Sequence, residues 1–126
     1  MLAYLLVGLG GALGAMSRYG FSLFVGRLHH GPFPLATFGV NVIGSLIMGL
    51  LVGYLARTTP EWQSGARLLI AVGALGGFTT FSSFSLDVVT LIERGSLITA
   101  SVYAVASLIV AVLALFAGLW IARGVF

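Results

Sequence analysis

Four long apolar segments, joined by loops of only a few residues, limit what this chain can fold into. They run from about residue 2 to 26, 35 to 56, 66 to 92 and 97 to 122. As a helix the second segment spans about 33 Å, enough to cross a hydrocarbon core of about 30 Å. Only 7% of the residues are charged, against roughly 25% in a soluble domain. The sequence therefore predicts an all-α integral membrane protein, with a single four-helix domain over residues 1–126.

The six arginines carry almost no information about orientation. If the segments span a membrane, the arginines divide evenly between its two sides: Arg57, Arg67 and Arg123 on the side of the N-terminus, and Arg18, Arg27 and Arg94 on the other. Orientation follows the Lys/Arg bias between the two sides, and there is no lysine to create one. Two alternatives stay open: one orientation set by subtler signals, or copies that insert both ways and pair as an antiparallel homodimer.

The third segment contains an unusual stretch, "GALGGFTTFSSFS", over residues 73–85. It holds three glycines, five hydroxyl side chains and three phenylalanines spaced three apart. Non-helical backbone is tolerated at membrane depth only where protein buries it or where it lines a cavity. We predict that the glycines break the third helix in mid-membrane. The phenylalanines and hydroxyls after the break are then expected to face a pore.

Polar side chains recur every four residues in two other segments, so each set lies on one helix face. They are Thr37, Asn41 and Ser45 in the second segment and Thr99, Tyr103 and Ser107 in the fourth. A single hydroxyl there is adequately explained by a hydrogen bond to its own helix or to a neighbouring one. The Asn41 amide is more costly in mid-span, and it offers two donors. Two such faces beside the stretch at 73–85 favour a polar path.

The polar groups deep in the segments are donors rather than carboxylates. Asp87 lies toward the end of the third segment, and Glu61 and Glu93 lie at segment boundaries. Phenylalanine adds a weak anion contact, because its ring edge carries partial positive charge. Phe81 and Phe84 share a helical face and can present their edges to one pore. Donors and ring edges without full charges suit a small hydrated anion that must leave as easily as it enters.

Glycines spaced four apart allow helices to approach closely. The first segment has such a pair at Gly10 and Gly14, and the second has one at Gly49 and Gly53. The pairs can serve a dimer interface or ordinary packing within the chain, and we expect the latter for at least one pair.

Three stretches together resemble one family. "GLGGALGAMSRY" in the first segment, "TFGVN" in the second and "GGFTTFSSFS" in the third are similar to the Fluc family of fluoride channels, also called CrcB proteins. The resemblance covers essentially the whole chain. It implies an antiparallel, dual-topology homodimer of four-helix subunits in the cell (inner) membrane. Such a dimer exports fluoride passively through two pores and holds a structural sodium ion at its centre.

The resemblance also assigns roles along the fluoride pathway. Phe81 and Phe84 match the phenylalanines that line the pore, and Asn41 matches an asparagine that donates to fluoride. Tyr103 and Ser107 match part of a polar track on the fourth helix. The remaining hydroxyls predicted along this pathway are Thr37, Thr80 and Ser83.

The same resemblance assigns a cation site and an entrance. Gly76 and Thr79 match the residues whose backbone carbonyls hold sodium where the third helix unwinds. Arg18 matches an arginine that draws anions into a vestibule. The chain departs from the family at Ser83 and Asp87, where threonine and glutamate are common, so the resemblance gives these two residues less support as individual contacts.

Other functional classes find less support in the sequence. A small multidrug-type four-helix transporter needs a carboxylate in its first span, and none occurs from Leu2 to Gly26. A non-transporting membrane subunit remains an alternative and would show no ion flux. An enzyme is not expected, since His29 and His30 have no further clustered ligand. Nucleic acid is not an expected partner either, because no basic run could follow its backbone.

Overall fold

The computed structural model describes residues 1–125, which form helices joined by short turns and include no strand. The elements are α1 Leu2–Leu28, α2 Leu35–Thr58, α3 Gln63–Ala66, a π-helical segment Arg67–Leu75, α4 Gly76–Phe78, α5 Ser82–Glu93 and α6 Leu97–Val125. The predicted all-α class is confirmed.

Three helical stretches within residues 1–125 are long and apolar enough to cross a membrane. They are Leu35–Thr58, Gln63–Glu93 and Leu97–Val125. The second of these, here called the third span, runs from α3 through the π-helical segment and α4 to the end of α5. Helix α1 has 27 residues but is less apolar than α2 and α6, and it carries Arg18 in its interior.

The helices associate in two closely packed pairs. Helix α1 lies along the π-helical segment and α4, whereas α2 lies along α6. In the first pair, a Cβ atom on Gly10 would overlap the Leu69 carbonyl and stand 2.8 Å from the Ala74 nitrogen. A Cβ on Gly14 would overlap the Ala74 carbonyl in the same way. The backbones therefore touch along this interface, which only glycine allows.

The second pair is built in the same way. A Cβ on Gly49 would overlap the Leu115 carbonyl of α6, and one on Gly118 would overlap the Leu46 carbonyl of α2. Gly53 lies against the Ala122 methyl group, 2.6 Å from where its own Cβ would be. The prediction that at least one glycine pair serves packing within the chain is confirmed for both.

The glycines of the third span do not break it, contrary to the prediction. Gly76 has helical angles, φ −62° and ψ −37°. The chain leaves the helix only at Thr79, with φ −78° and ψ 159°, and becomes helical again at Ser82. Gly77 instead allows close packing, since a Cβ there would stand 2.6 Å from the Gly11 carbonyl oxygen. The interruption therefore lies after the glycines, at the point where a side chain of α2 hydrogen-bonds the backbone.

A tight turn returns the chain from α5 to α6. Gly95 adopts φ 81°, a left-handed angle that favours glycine. Its N–H donates to the Ile92 carbonyl at 3.0 Å, and the Ser96 N–H donates to the Leu91 carbonyl at 2.9 Å. This pair of bonds ends α5 as a Schellman motif and lays the first turns of α6 beside it.

Candidate functional site

The interruption of the third span is held by one side chain of α2. The Asn41 amide nitrogen donates to the Thr80 carbonyl at 3.0 Å, and the Thr80 N–H donates to Asn41 Oδ1 at 2.8 Å. In a continuous helix that N–H would donate to the Gly76 carbonyl. Asn41 thus satisfies both backbone groups of a residue that is only 8% exposed. One amide proton of Asn41 remains for another acceptor.

Hydroxyl groups around the interruption serve the backbone as well. Thr80 Oγ1 accepts the Ser83 N–H at 3.2 Å and so caps the start of α5. Thr79 and Ser85 each donate their hydroxyl to the carbonyl four residues earlier, both at 2.9 Å. Much of the hydroxyl-rich sequence is therefore explained by stopping one helix and starting the next.

A cavity of about 680 Å³ opens beside the interruption, between α2, α5 and α6. Its polar and aromatic lining consists of Asn41, Ser45, Thr79, Thr80, Phe81, Phe84 and Ser107. The rings of Phe81 and Phe84 have centroids 5.5 Å apart. Phe81 is 78% exposed and stands at the open side of the cavity. Five predicted pathway residues, from three helical segments and the interruption, are thereby brought to one wall.

Ser107 is the unusual group on that wall. The residue is 6% exposed, and its Oγ finds no hydrogen-bond partner within residues 1–125. Leaving a buried hydroxyl unsatisfied costs about 1–3 kcal/mol. A buried hydroxyl of this kind calls for a partner other than the described protein atoms, such as a water molecule or an ion.

Tyr103 lies behind Phe84 and is fully buried. Its hydroxyl donates to Asp87 Oδ2 at 3.0 Å. Phe84 packs against its ring with centroids 5.2 Å apart. Asp87 was not predicted as the partner of Tyr103. Its position three residues after Phe84, on the same helix face, is the sequence signal that could have found it.

A second cavity, of about 190 Å³, brings together further predicted residues. Arg18, Thr37, Thr80 and Ser83 are among its lining side chains. Thr80 borders both cavities and thus lies between the two groups of predicted residues. Arg18 also reaches the interruption, because its Nη1 donates to the Thr79 carbonyl at 3.3 Å. The predicted entrance residue therefore contacts the same carbonyl that was predicted to hold sodium.

Backbone carbonyls are candidate metal ligands at the interruption. Residues 1–125 contain no group of three or more His, Cys, Asp or Glu side chains that could hold a metal ion. At the interruption, the Gly76 carbonyl loses its helical donor, since the Thr80 N–H is bonded to Asn41. Neutral carbonyl oxygens are the ligand type that hard cations prefer.

Comparison with known proteins identifies close relatives over the whole length. The family model described as "CrcB-like protein, Camphor Resistance (CrcB)" matches residues 5–119. A protein of Hyphomonas neptunium is 48% identical over 126 residues, which is 100% of this chain and 99% of that protein. Relatives from Phenylobacterium zucineum and Agrobacterium fabrum are 49% and 46% identical, each across 100% of this chain and 99% and 100% of their own length. All three relatives are named "Fluoride-specific ion channel FluC".

Proposed function

This chain belongs to the CrcB family, and from that premise we propose that it is a fluoride channel, which lets cytoplasmic fluoride leave passively and so relieves its toxicity. It is a multi-pass membrane protein, and we place it in the cell (inner) membrane. The names of the relatives support fluoride as the permeant ion. Channel activity involves no chemical conversion, so the protein is not an enzyme.

The observation that carries the proposal is the buried Ser107 hydroxyl beside the two phenylalanines. It shares a cavity with Asn41, which has an amide proton to spare, and with the rings of Phe81 and Phe84. Those groups contribute only donors and ring edges to an anion, and no carboxylate of residues 1–125 lines the cavity. Such contacts bind weakly enough for an ion to leave again.

The smaller cavity would supply the charged end of the pathway. Arg18 brings a positive charge, and the Thr37 and Ser83 hydroxyls add donors beside it. Thr80 connects this cavity with the larger one, so an anion attracted by Arg18 would next meet the interruption held by Asn41. We propose that fluoride follows this sequence of contacts, with Tyr103 and Asp87 fixing the wall behind Phe84.

An antiparallel homodimer would close the larger cavity. Its outer rim exposes apolar side chains, including Leu108 at 68% and Phe81 at 78%. Lipid can cover apolar surface on the outside of the protein. The polar path itself must be enclosed by protein at membrane depth. With three arginines at each end, neither orientation is favoured. This proposal treats α1 as a fourth span and pairs two copies in opposite orientations.

A structural sodium ion at the dimer centre fits the donors at the interruption. Gly76 and Thr79 would each offer a carbonyl, and two copies would supply four hard oxygens. The Thr79 carbonyl already accepts a bond from Arg18, but a carbonyl oxygen has a second lone pair. The ion would fix the two chains by a charge at their contact and would not move with fluoride. Replacement of sodium by another monovalent cation, followed by the dimer's unfolding midpoint, tests this without relying on flux.

The decisive experiment measures ion efflux from liposomes that contain the purified protein. A fluoride electrode should record rapid fluoride release, with chloride release from the same preparation far slower. Release should persist without any proton gradient, because no carboxylate in the described part of the chain lines the larger cavity. A requirement for a proton gradient of one direction would replace the channel by a coupled transporter. No release at all would favour a non-transporting membrane subunit.

A further inference from the structure

The loop between α1 and α2 is anchored at a single carbonyl group. The Phe33 carbonyl accepts the Leu35 N–H at 2.7 Å and bonds the His29 ring nitrogen Nε2 at 3.1 Å. Because a carbonyl only accepts, His29 must donate from Nε2. Pro34 lies between them with φ −74° and ψ 69°, the centre of an inverse γ-turn. The Phe33 backbone is thus fixed on both sides.

The ring of Phe33 is inserted against Tyr103. The two ring centroids are 5.4 Å apart and the planes are at 87°, an edge-to-face contact. Phe84 packs against Tyr103 as well, with centroids 5.2 Å apart. Phe33 belongs to the partly buried residues around the core of Tyr103, Leu91 and Ala100.

The orientation of the Tyr103 ring decides where its hydroxyl points. A phenol O–H bond prefers to lie in the plane of its ring, so rotation of that plane redirects the hydrogen bond. The ring is held by Phe33 and Phe84, and the hydroxyl meets Asp87 Oδ2 at 3.0 Å. Phe84 is a predicted pathway residue, whereas Phe33 comes from a loop that the sequence leaves without a function.

We propose that Phe33 is a positioning residue for the pathway, acting through the ring of Tyr103. The inference rests on the proposed function, because it concerns the wall on which the fluoride path depends. Phe33 sets the plane of the phenol, and the His29 bond to its carbonyl holds Phe33 in place. The loop thereby controls how Tyr103 presents its hydroxyl to Asp87.

The test is a double-mutant cycle between Phe33→Leu and Tyr103→Phe. Leucine keeps apolar bulk but removes the ring edge, and Tyr103→Phe removes only the hydroxyl. Groups that act through each other are non-additive, whereas independent groups add. Phe33→Leu should slow fluoride efflux by about threefold or more, the size expected when one hydrogen bond is weakened. Tyr103→Phe should then cost clearly less in the Phe33→Leu background than in the wild-type chain.

Phe21→Leu is the matched control for loss of an aromatic edge. Phe21 makes a similar edge-to-face contact with Phe78, with centroids 6.4 Å apart, and has no ring contact with Phe33 or Tyr103 within the described residues. Its effect should add independently to that of Tyr103→Phe. If Phe33→Leu is equally additive with Tyr103→Phe, the positioning role is overturned and Phe33 is only a loop anchor.

Thermal unfolding gives a second cycle that does not need flux. If Tyr103→Phe abolishes efflux, the shift of the unfolding midpoint caused by that change is compared in the wild-type and Phe33→Leu backgrounds. A smaller shift in the Phe33→Leu background supports the coupling, and equal shifts overturn it. A failed efflux assay therefore does not leave the proposal undecided. The stability cycle also tests the coupling between Phe33 and Tyr103 separately from the channel function, because it does not require fluoride to permeate.

The His29 bond is tested by two substitutions of that residue. His29→Gln keeps an N–H donor on a side chain of similar length, whereas His29→Val removes the donor. His29→Val should slow efflux in the same direction as Phe33→Leu, and its effect should shrink in the Tyr103→Phe background. His29→Gln should stay close to the wild type. Indistinguishable behaviour of the two variants would overturn the role assigned to the loop.

Discussion

The third span has two halves that hold their places by different means. Before the interruption, the π-helical segment Arg67–Leu75 and α4 lie against α1 backbone to backbone, with glycine on both sides. After it, α5 presents rings and hydroxyls, and its contacts to α6 include the side chains of Phe84, Asp87 and Leu91. The first half is fixed by glycines, which let the two backbones touch. The second half is fixed by contacts of polar and aromatic side chains.

This difference teaches where substitutions should matter and why. In the first half, an atom added at the interface with α1 meets a backbone that cannot move away, so size alone decides the outcome there. In the second half, a change of equal size matters if it removes a donor or a ring edge. Between the halves lies the short extended stretch at Thr79 and Thr80, which Asn41 holds. Substitutions on either side of it should therefore fail for different reasons.

Gly10→Ala should have the largest effect on folding. The new methyl group would overlap the Leu69 carbonyl and lie within 2.8 Å of the Ala74 nitrogen, both backbone atoms. Overpacking of this kind costs about 1–3 kcal/mol and occasionally more. Gly8→Ala is the control, since a Cβ there meets nothing within 4 Å and should stabilise α1 slightly. Unfolding midpoints in detergent compare the two, and similar midpoints would contradict the backbone contact.

Asn41→Asp should damage both the interruption and ion flux. Aspartate still accepts the Thr80 N–H but cannot donate to the Thr80 carbonyl, and it adds a negative charge to an anion path. An unsatisfied buried carbonyl costs about 1–3 kcal/mol. Asn41→Ala separates the two effects, because it loses both bonds without adding charge. We expect Asn41→Ala to have a lower unfolding midpoint than Asn41→Asp. It should nevertheless give faster fluoride efflux than Asn41→Asp.

The contrast also explains how much could be predicted from the sequence. Length and composition predict the all-α fold, and the small-residue spacing predicts the packed glycines, because both signals are local. The polar faces bring Asn41 and Ser107 together with Phe81 for the same reason, since a helix of known period has known faces. What cannot be seen locally is which of several glycines and threonines ends the helix. The deciding partner, Asn41, lies 39 residues away from Thr80.

Several side-chain contacts that the sequence does not predict are long-range. Arg18 reaches Thr79 across 61 residues and Tyr103 reaches Asp87 across 16. Phe33 meets Tyr103 from a loop, where no periodicity gives a side chain a direction. The prediction of a break at the glycines is wrong for a related reason. Glycine permits both a break and a close approach, and only the neighbouring helix shows which one is used.

Phe81→Ile and Phe84→Ile should lower fluoride efflux by about tenfold or more while leaving the fold intact. Isoleucine keeps most of the apolar bulk but has no ring edge to present to an anion. Phe81 is 78% exposed in one copy, so its replacement should leave the packing within the chain undisturbed. Phe84 also contacts Tyr103, and its replacement should cost somewhat more stability. Normal efflux in both variants would mean that the rings only pack.

Ser107→Ala should slow fluoride efflux without lowering the unfolding midpoint. The hydroxyl is buried without a partner in residues 1–125, so its removal should leave the unfolding midpoint unchanged or raise it. Fluoride efflux should fall severalfold if that donor meets the ion, which is an effect of about 1 kcal/mol. Ser101→Ala is the control, because that hydroxyl is exposed and bonds the Leu97 carbonyl at 2.9 Å. A lower midpoint in Ser107→Ala would indicate a partner that the hydroxyl already has.

Gly76→Ala should have the smallest effect on the single chain, although the same substitution at the neighbouring Gly77 should be destabilising. A Cβ on Gly76 would meet only the Ala71 carbonyl oxygen at an ordinary 3.7 Å, whereas one on Gly77 would come within 2.6 Å of the Gly11 carbonyl oxygen. Since Gly76 is helical, alanine should stabilise the chain by up to about 1 kcal/mol. Gly77→Ala should destabilise it by about 1–3 kcal/mol.

Two substitutions of Gly76 test whether two copies meet at the interruption. Gly76 is exposed in the single chain, so the only contact its new methyl group could disturb is one with a partner. We expect Gly76→Ala to preserve the helical fold by circular dichroism yet to weaken the homodimer in a dilution series in detergent or lipid. The weakening should grow further with Gly76→Val, because a branched side chain reaches farther. A dimer unaffected by either change would move the interface away from Gly76, and with it the shared cation site proposed there.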